Sequence, residues 1–196
     1  MKRKLILWAL MSMFTVVAVS SCNKDDDEDS GIPTSTFDGK LSGTITGATA
    51  GQIDSIGVDY VGGVRKFPVS ATGTFDFTLP TPAAGDLESF DVSPTATVTP
   101  ADAKIFTTYF GAYKEGEYVG DVYKISGATE LSYVYANKDV TIVGTEGNSE
   151  YSASYNCSLK AGWNILKTVT SKTNSTETDV VTTGNIPNIP WVFEEW

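Results

Sequence analysis

Two cysteines and 24 acidic residues are the side chains of this sequence with the clearest chemical potential, and no histidine accompanies them. The lack of histidine excludes the Ser-His-Asp triad, a histidine-paired cysteine nucleophile and histidine metal sites. The sequence also contains no phosphate-cradling glycine loop of the GxxxxGK[ST] or strand–GxGxxG–helix type. We therefore expect no catalytic residue, no metal centre and no cofactor.

Carboxylate pairs are what an acid–base hydrolase could still use. Glu115 and Glu117 flank Gly116 at a predicted hairpin tip, where a solvated turn is the simpler interpretation. Glu194 and Glu195 are neighbours in the sequence, and adjacent residues of a strand point to opposite faces. A carboxylate-dependent glycoside hydrolase is thus the least favoured of the functions considered.

Aromatic side chains offer a second chemistry, because sugar-binding modules stack sugars on a flat row of Trp and Tyr rings. In the stretch PWVFEEW, strand alternation places Trp191 and Phe193 on one face and Trp196 on the other. The two tryptophans therefore do not form one platform without a bulge, and core packing is the default for Trp191 and Phe193. Four rings are retained as candidates for ligand binding: Trp191, Trp196, Tyr113 and Tyr118.

The first cysteine follows an apolar run from Leu5 to Val19 that is preceded by three basic residues, the layout of an export signal. The run is shorter than the roughly 20 residues that a membrane-spanning helix needs. The sequence VSSC, ending in Cys22, resembles the lipobox of bacterial lipoproteins, in which the cysteine becomes the lipid-modified first residue. The resemblance implies a signal peptide over 1–21 and several acyl chains on Cys22, which would hold the protein on a bilayer. A plain secretory signal with an incidental cysteine is the alternative.

An acidic segment follows Cys22 and resembles the surface-export tag of Bacteroidota lipoproteins, which directs a protein to the outer face of the outer membrane. Its residues are Lys24, Asp25, Asp26, Asp27 and Glu28, with Asp29 next to them. Like charges also extend a linker, so residues 22–36 are expected to form a flexible tether. The reach from Asn23 to Phe37 is at most about 50 Å at ~3.3 Å per residue. We therefore expect an outer-membrane protein that faces the cell exterior.

The charge balance excludes one class of partner. Removal of residues 1–21 leaves 11 basic against 24 acidic residues, a net charge of −13. Such a surface repels nucleic acid and anionic membranes, so we expect no nucleic-acid partner.

The elements that must position these side chains are strands. Apolar and polar residues alternate from Lys40 onward, and no helical stripe is sustained. This pattern predicts an all-β fold, an antiparallel β-sandwich over 37–196 built from eleven or so short strands. They cover 40–47, 53–60, 64–69, 73–80, 104–113, 117–125, 129–135, 139–144, 150–159, 162–170 and 177–183, with a last one near 190–195.

Two features of this pattern need separate mention. Residues 80–103 are rich in Pro, Ala, Ser and Thr, and are left as either a loop with an edge strand near Phe90–Val92 or a break between two sub-blocks. Cys157 falls on the apolar face of its predicted strand, and a lone buried cysteine behaves as a small hydrophobe. We therefore predict that Cys157 lies in the core.

The first block resembles the transthyretin-like and carboxypeptidase-regulatory-like β-sandwich modules over about a quarter of the chain. The matching residues are Gly43, Ile45 and Gly47, followed by Gly73, Phe75, Phe77, Leu79 and Pro80. The resemblance implies a sandwich fold and no activity. A further short match, Asp54-Ser55-Ile56, fits the acceptor pattern for O-glycosylation in Bacteroides-type secreted proteins.

The sequence thus predicts a non-catalytic surface lipoprotein with a bilayer anchor on Cys22, whose folded part binds or displays a glycan or a protein. A structural subunit of a fimbria-like assembly is the main alternative, and it requires an open sheet edge or a groove that accepts a donor strand.

Overall fold

The alternating stretches of the sequence form strands in the computed structural model, which describes residues 37–90, 95–173 and 176–196. The predicted signal peptide, the lipidated Cys22 and the acidic tag at Lys24–Glu28 lie outside the described residues. Strands dominate the described part, and its one short 3-10 turn spans Ala84–Asp86. The all-β prediction is confirmed. Within this part of the chain, no helix has the length and apolar character needed to cross a bilayer.

Fifteen strands are present in the described residues. They are β1 (Lys40–Thr46), β2 (Ser55–Tyr60), β3 (Gly63–Pro68), β4 (Thr74–Thr78), β5 (Glu88–Ser89), β6 (Ala96–Thr99), β7 (Lys104–Thr107), β8 (Phe110–Lys114), β9 (Glu117–Ser126), β10 (Thr129–Ala136), β11 (Val140–Gly147), β12 (Tyr151–Leu159), β13 (Gly162–Thr173), β14 (Thr176–Thr183) and β15 (Trp191–Glu195).

Most strand pairs are antiparallel, and the long path of hydrogen-bonded neighbours runs β3-β2-β8-β9-β10-β13-β14-β12-β11-β6. Two pairs are parallel, β12 with β14 and β1 with β15. β15 also pairs antiparallel with β9, and β1 pairs antiparallel with β4. The last strand therefore connects the β1–β4 hairpin to the long path of strands.

The larger hydrophobic core forms where β1 and β4 pack on the inner faces of β2, β8, β9 and β15. Phe75 and Phe77 of β4 are buried, as their alternation with exposed Asp76 predicts. The ring of Trp191 stacks on Tyr133 at a centroid distance of 5.8 Å and meets Phe75 edge-on at 5.2 Å. This packing is sandwich-like, and it leaves the outer face of β2, β8, β9 and β15 to solvent.

A second, smaller core lies toward the other end of the strand order, around β11 and β12. Cys157 of β12 is fully buried there, and its Sγ donates a hydrogen bond to the carbonyl of Val181. Burial raises the pKa of the Cys157 thiol to about 11. The prediction that this cysteine is a core residue is confirmed.

Residues 80–103, left as either a loop with an edge strand near Phe90–Val92 or a break between two sub-blocks, contain two short strands among the described residues. β5 pairs with β7, and β6 pairs with β11, so both short strands attach to the sheet. The predicted strand 104–113 is instead two strands, because the backbone changes partners at Thr108. β7 pairs with β10, whereas β8 pairs with β2 and β9.

Candidate functional site

The β8–β9 hairpin carries two of the predicted candidate residues. Its two-residue turn is Glu115-Gly116, with φ values of 52° and 95°, as the mirror-image turns of tight hairpins require. The turn sets Tyr113 opposite Tyr118 in the strand register. Their rings meet at a centroid distance of 5.8 Å and an interplanar angle of 72°. The solvated turn predicted around Glu115 and Glu117 is observed, since both glutamates are exposed.

Two glycines let these rings lie close to the sheet. Gly57 of β2 is the register partner of Gly111 of β8. A Cβ atom at Gly57 would collide with Cε2 of Tyr113. A Cβ atom at Gly111 would stand 3.1 Å from Tyr113 and 3.2 Å from Tyr118. The glycine pair therefore forms a shallow floor that the two tyrosines cover.

Trp196 completes what we call the aromatic cluster, defined as Tyr113, Tyr118 and Trp196. The ring of Trp196 lies 6.5 Å from that of Tyr118 at an angle of 54°. Trp196 is 85% exposed and Tyr118 is 47% exposed. Exposure of large rings side by side is uncommon on a surface without a binding role.

Asp121 organises the cluster. The indole Nε1 of Trp196 and the hydroxyl of Tyr123 donate hydrogen bonds to Oδ2 of Asp121, at 3.0 and 3.1 Å. Burial and a hydrogen bond with Asp121 raise the pKa of Tyr118. Asp121 therefore orients Tyr123 of β9 and Trp196, the residue after β15.

A cation occupies part of this surface. Nζ of Lys66 lies 4.0 Å from the ring centroid of Tyr113 and donates a hydrogen bond to the carbonyl of Gly116 at 2.7 Å. Tyr113 thus lies between the glycine floor and a lysine, whereas Tyr118 and Trp196 present more open ring surface.

The structure brings three of the four candidate rings together. The fourth, Trp191, is only 3% exposed and lies in the core, so its assignment as a candidate for ligand contact is wrong. The reason is the strand alternation itself, which turns Trp191 and Phe193 inward and Trp196 outward. The expected flat row of rings is also not formed, because the ring planes are inclined by 72° and 54°.

Asp121 and the two floor glycines were missed by sequence reasoning. A single aspartate in a strand carries no motif, and its importance depends on the register that brings β9 beside β15. The sequence FGAYKEGEYVG does contain a usable signal for the glycine floor. Gly111 and Tyr113 are two residues apart in the strand before the turn, so they lie on the same face.

A second carboxylate cluster lies on the sheet near β12, β13 and β14. Asp179 is buried and accepts hydrogen bonds from Thr170 Oγ1 at 2.7 Å and from Tyr151 Oη at 3.2 Å. Burial, then the charge of Asp179, raises the pKa of Glu130 nearby. Both carboxylate oxygens of Asp179 accept hydrogen bonds from side chains of β12 and β13, so Asp179 links these strands to β14.

Within the described residues no group of three or more Asp, Glu, Cys or His side chains is placed to hold a metal ion.

The proposed O-glycosylation acceptor lies at the start of β2. Ser55 Oγ donates a hydrogen bond to Oδ1 of Asp54 at 2.9 Å, and the backbone N–H of Glu115 donates to Oδ2 of Asp54 at 2.6 Å. The Ser55 side chain is partly buried within this local network.

In a comparison with protein-family models, curated proteins and solved structures, no significant match to this chain is found.

Proposed function

We propose that this protein is a non-catalytic surface lipoprotein whose folded part binds a glycan through the aromatic cluster. The observation that carries the proposal is the exposure of Trp196 beside Tyr118, with Asp121 accepting a hydrogen bond from the indole of Trp196.

The chemistry of the cluster suits a sugar. A pyranose ring has an apolar C–H face that packs on an aromatic ring and hydroxyls at its edge that seek hydrogen-bond partners. Trp196 and Tyr118 supply the apolar surface, and the Asp121 carboxylate beside them accepts hydrogen bonds. Amphipathic rings next to a few placed polar groups are the usual composition of a small-ligand site.

The angles between the ring planes restrict the shape of the glycan that the cluster can contact. Rings in one plane could lie together on a flat, ordered polysaccharide surface. Rings inclined by 54° and 72° cannot all contact such a plane. The cluster therefore favours a single soluble chain that bends around Trp196 and Tyr118.

The proposed location rests on the lipobox resemblance at Cys22 and on the acidic segment that follows it. An acyl anchor and a charged tether would place the folded part in the medium, where extracellular glycans are found. The net charge of −13 after signal removal keeps such a domain away from anionic surfaces.

Assembly into a fibre by strand addition is the alternative function. Among the described strands, β3 and β6 stand at the two ends of the long strand order. β3 carries Arg65, Lys66 and Pro68, and charged residues and proline are features that protect an edge strand from pairing. These features count against strand addition at β3, whereas β6 has the sequence ATVT with neither a charge nor a proline.

The test is a screen of the purified chain against soluble oligosaccharides, followed by titration of the best ligand. Trp196→Ala and Tyr118→Ala should each weaken binding at least about tenfold, equivalent to about 1.4 kcal/mol. Tyr109→Ala is the matched control, because Tyr109 is 57% exposed but belongs to no ring pair of the cluster. Unchanged affinity in Trp196→Ala, or a loss equal to that of Tyr109→Ala, would contradict the proposal.

A further inference from the structure

The aromatic cluster lies in a field of negative charge. Asp121 and Glu194 are direct partners across the antiparallel β9–β15 pair, so both side chains are on the outer face. Asp59 lies on the same face of β2 as Gly57, two residues further along. Burial and then the charges of Asp59 and Asp121 raise the pKa of Tyr113. Like charges directly opposite each other destabilise a sheet.

Among the described residues no ion pair neutralises this group of carboxylates, and Lys66, the cation over Tyr113, donates its hydrogen bond to the carbonyl of Gly116 instead. The ion pairs found among the described residues join Lys40 to Asp76, Lys114 to Glu115, Lys138 to Asp102 and Lys160 to Asp139. None of them includes Asp59, Asp121 or Glu194. Lys124, next to the site in sequence, lies over Trp191, which belongs to the core.

The cluster already shows an affinity for an ammonium group. Lys66 Nζ lies over the ring of Tyr113 at 4.0 Å, and aromatic faces attract cations through their quadrupole. Tryptophan is the ring type that binds cations best. In the described part of the chain, lysine or arginine lies over the rings of Tyr60, Tyr113 and Trp191, but not over the ring of Trp196.

We infer that the ligand is a glycan bearing free amino groups, with its ammonium held between the rings of Trp196 and Tyr118 and the carboxylates of Asp121 and Glu194. This inference rests on the proposed function and specifies its ligand. A carboxylate pair beside exposed rings attracts a cationic sugar and repels a uronate or a sulfate.

The test compares two oligosaccharides of equal length, one of glucosamine and one of N-acetylglucosamine. Binding to the purified full chain is measured at about pH 6, where an amine with a pKa above about 7 is protonated. The amine-bearing oligomer should bind at least tenfold more tightly at low salt. The preference should fall severalfold as ionic strength increases, because salt screens exposed charges.

A matched pair of variants locates the effect. Glu194→Gln should weaken binding of the amine-bearing oligomer severalfold more than binding of the acetylated oligomer. Glu195→Gln is the control, because Glu195 is equally exposed but points to the opposite face of β15.

The outcomes separate the two proposals. Equal affinity for the two oligomers, or a preference that Glu194→Gln does not alter, would overturn the amine inference and leave the glycan-binding function standing. If the chain binds neither oligomer but does bind another glycan, the amine inference is overturned. If the chain binds no glycan at all, the amine inference and the glycan-binding function are both overturned.

Discussion

Gly57 and Gly111 are direct partners across β2 and β8, and the ring of Tyr113 covers the space where their Cβ atoms would stand. The pairing lets the ring of Tyr113 lie directly against the backbone of the sheet. Tyrosine over paired glycines also protects the exposed backbone of the sheet, as aromatic residues do at other strand glycines. A larger side chain at Gly57 or Gly111 should therefore displace the tyrosine rings that cover these glycines.

We predict that Gly57→Ala displaces Tyr113 and costs about 1–3 kcal/mol of unfolding free energy, the usual range for overpacking. The new Cβ would collide with Tyr113 Cε2 and stand 2.6 Å from Val64 Cγ1. Urea unfolding measures the cost, and near-UV circular dichroism reports the ring. Gly62→Ala is the control, because nothing lies within 4 Å of a Cβ there. Equal stability of the two variants would show that the floor is not tightly packed.

Alkaline pH should destabilise the fold. Burial raises the pKa of Tyr60 to about 12 and that of Cys157 to about 11, whereas unfolded Tyr and Cys titrate near about 10 and 8.5. Both groups hold their protons more tightly when folded. Their contribution to stability is therefore fully present below about pH 8.5 and is lost as the pH rises through 11 and 12.

Urea unfolding at a series of pH values from 8 to 12 would follow this loss. Tyr60→Phe should make the decline shallower, because one of the titrating groups is gone. It should not destabilise the protein at pH 7, since the Tyr60 hydroxyl is buried without a hydrogen-bond partner. A stability that stays constant to pH 12 would contradict the prediction.

Replacement of Glu130 by Gln should stabilise the protein at neutral pH. Burial and then the charge of Asp179 raise the pKa of Glu130, so the folded state favours the protonated form. The stabilisation that protonated Glu130 provides is fully present below the pKa of about 4.3 in the unfolded state. It is lost as the pH rises through the higher pKa of the folded state. Gln keeps the shape without the charge.

The measurement is the free energy of unfolding of Glu130→Gln and of the parent chain at pH 7 and pH 4. We expect a gain at pH 7 that shrinks toward pH 4. Glu117→Gln on the exposed hairpin should give no such gain. A loss of stability in Glu130→Gln at pH 7 would mean that the carboxylate makes a favourable contact.

The proposed anchor can be tested apart from binding. Cys22→Ser should release the protein from the membrane fraction, because several acyl chains are needed for stable attachment. Replacement of Lys24, Asp25, Asp26, Asp27 and Glu28 by Ala should keep the attachment but protect the folded part from protease added to whole cells. Membrane-bound Cys22→Ser protein would contradict the anchor, and unchanged protease access would contradict the tag.

Most strands were predictable because half-buried strands must alternate apolar and polar residues. β9 and β12, for example, lie within one residue of the predicted bounds. The short strand β6 was not predicted, because its pairing with β11 depends on a contact more than 40 residues away. The change of partners at Thr108 was missed for the same reason, since alternation continues across it.

The site was predictable in part. Alternation correctly separated Trp196 from Trp191, and the hairpin tip was predicted at Glu115–Glu117, but the register that sets Tyr113 opposite Tyr118 was not. That Trp196 joins them follows from the pairing of β15 with β9, which no local pattern encodes. Asp121 became recognisable only when this pairing brought Trp196 to it.

The position of β15 between β1 and β9 has a consequence for biogenesis. The hydroxyl of Thr46 donates a hydrogen bond to the carbonyl of Trp191, a partner 145 residues further along. β1 therefore lacks this neighbour until synthesis has passed residue 191. A copy interrupted before that point lacks the strand that closes the sheet and also lacks Trp196. Truncated molecules would thus lack both the partner strand of β1 and β9 and one ring of the aromatic cluster.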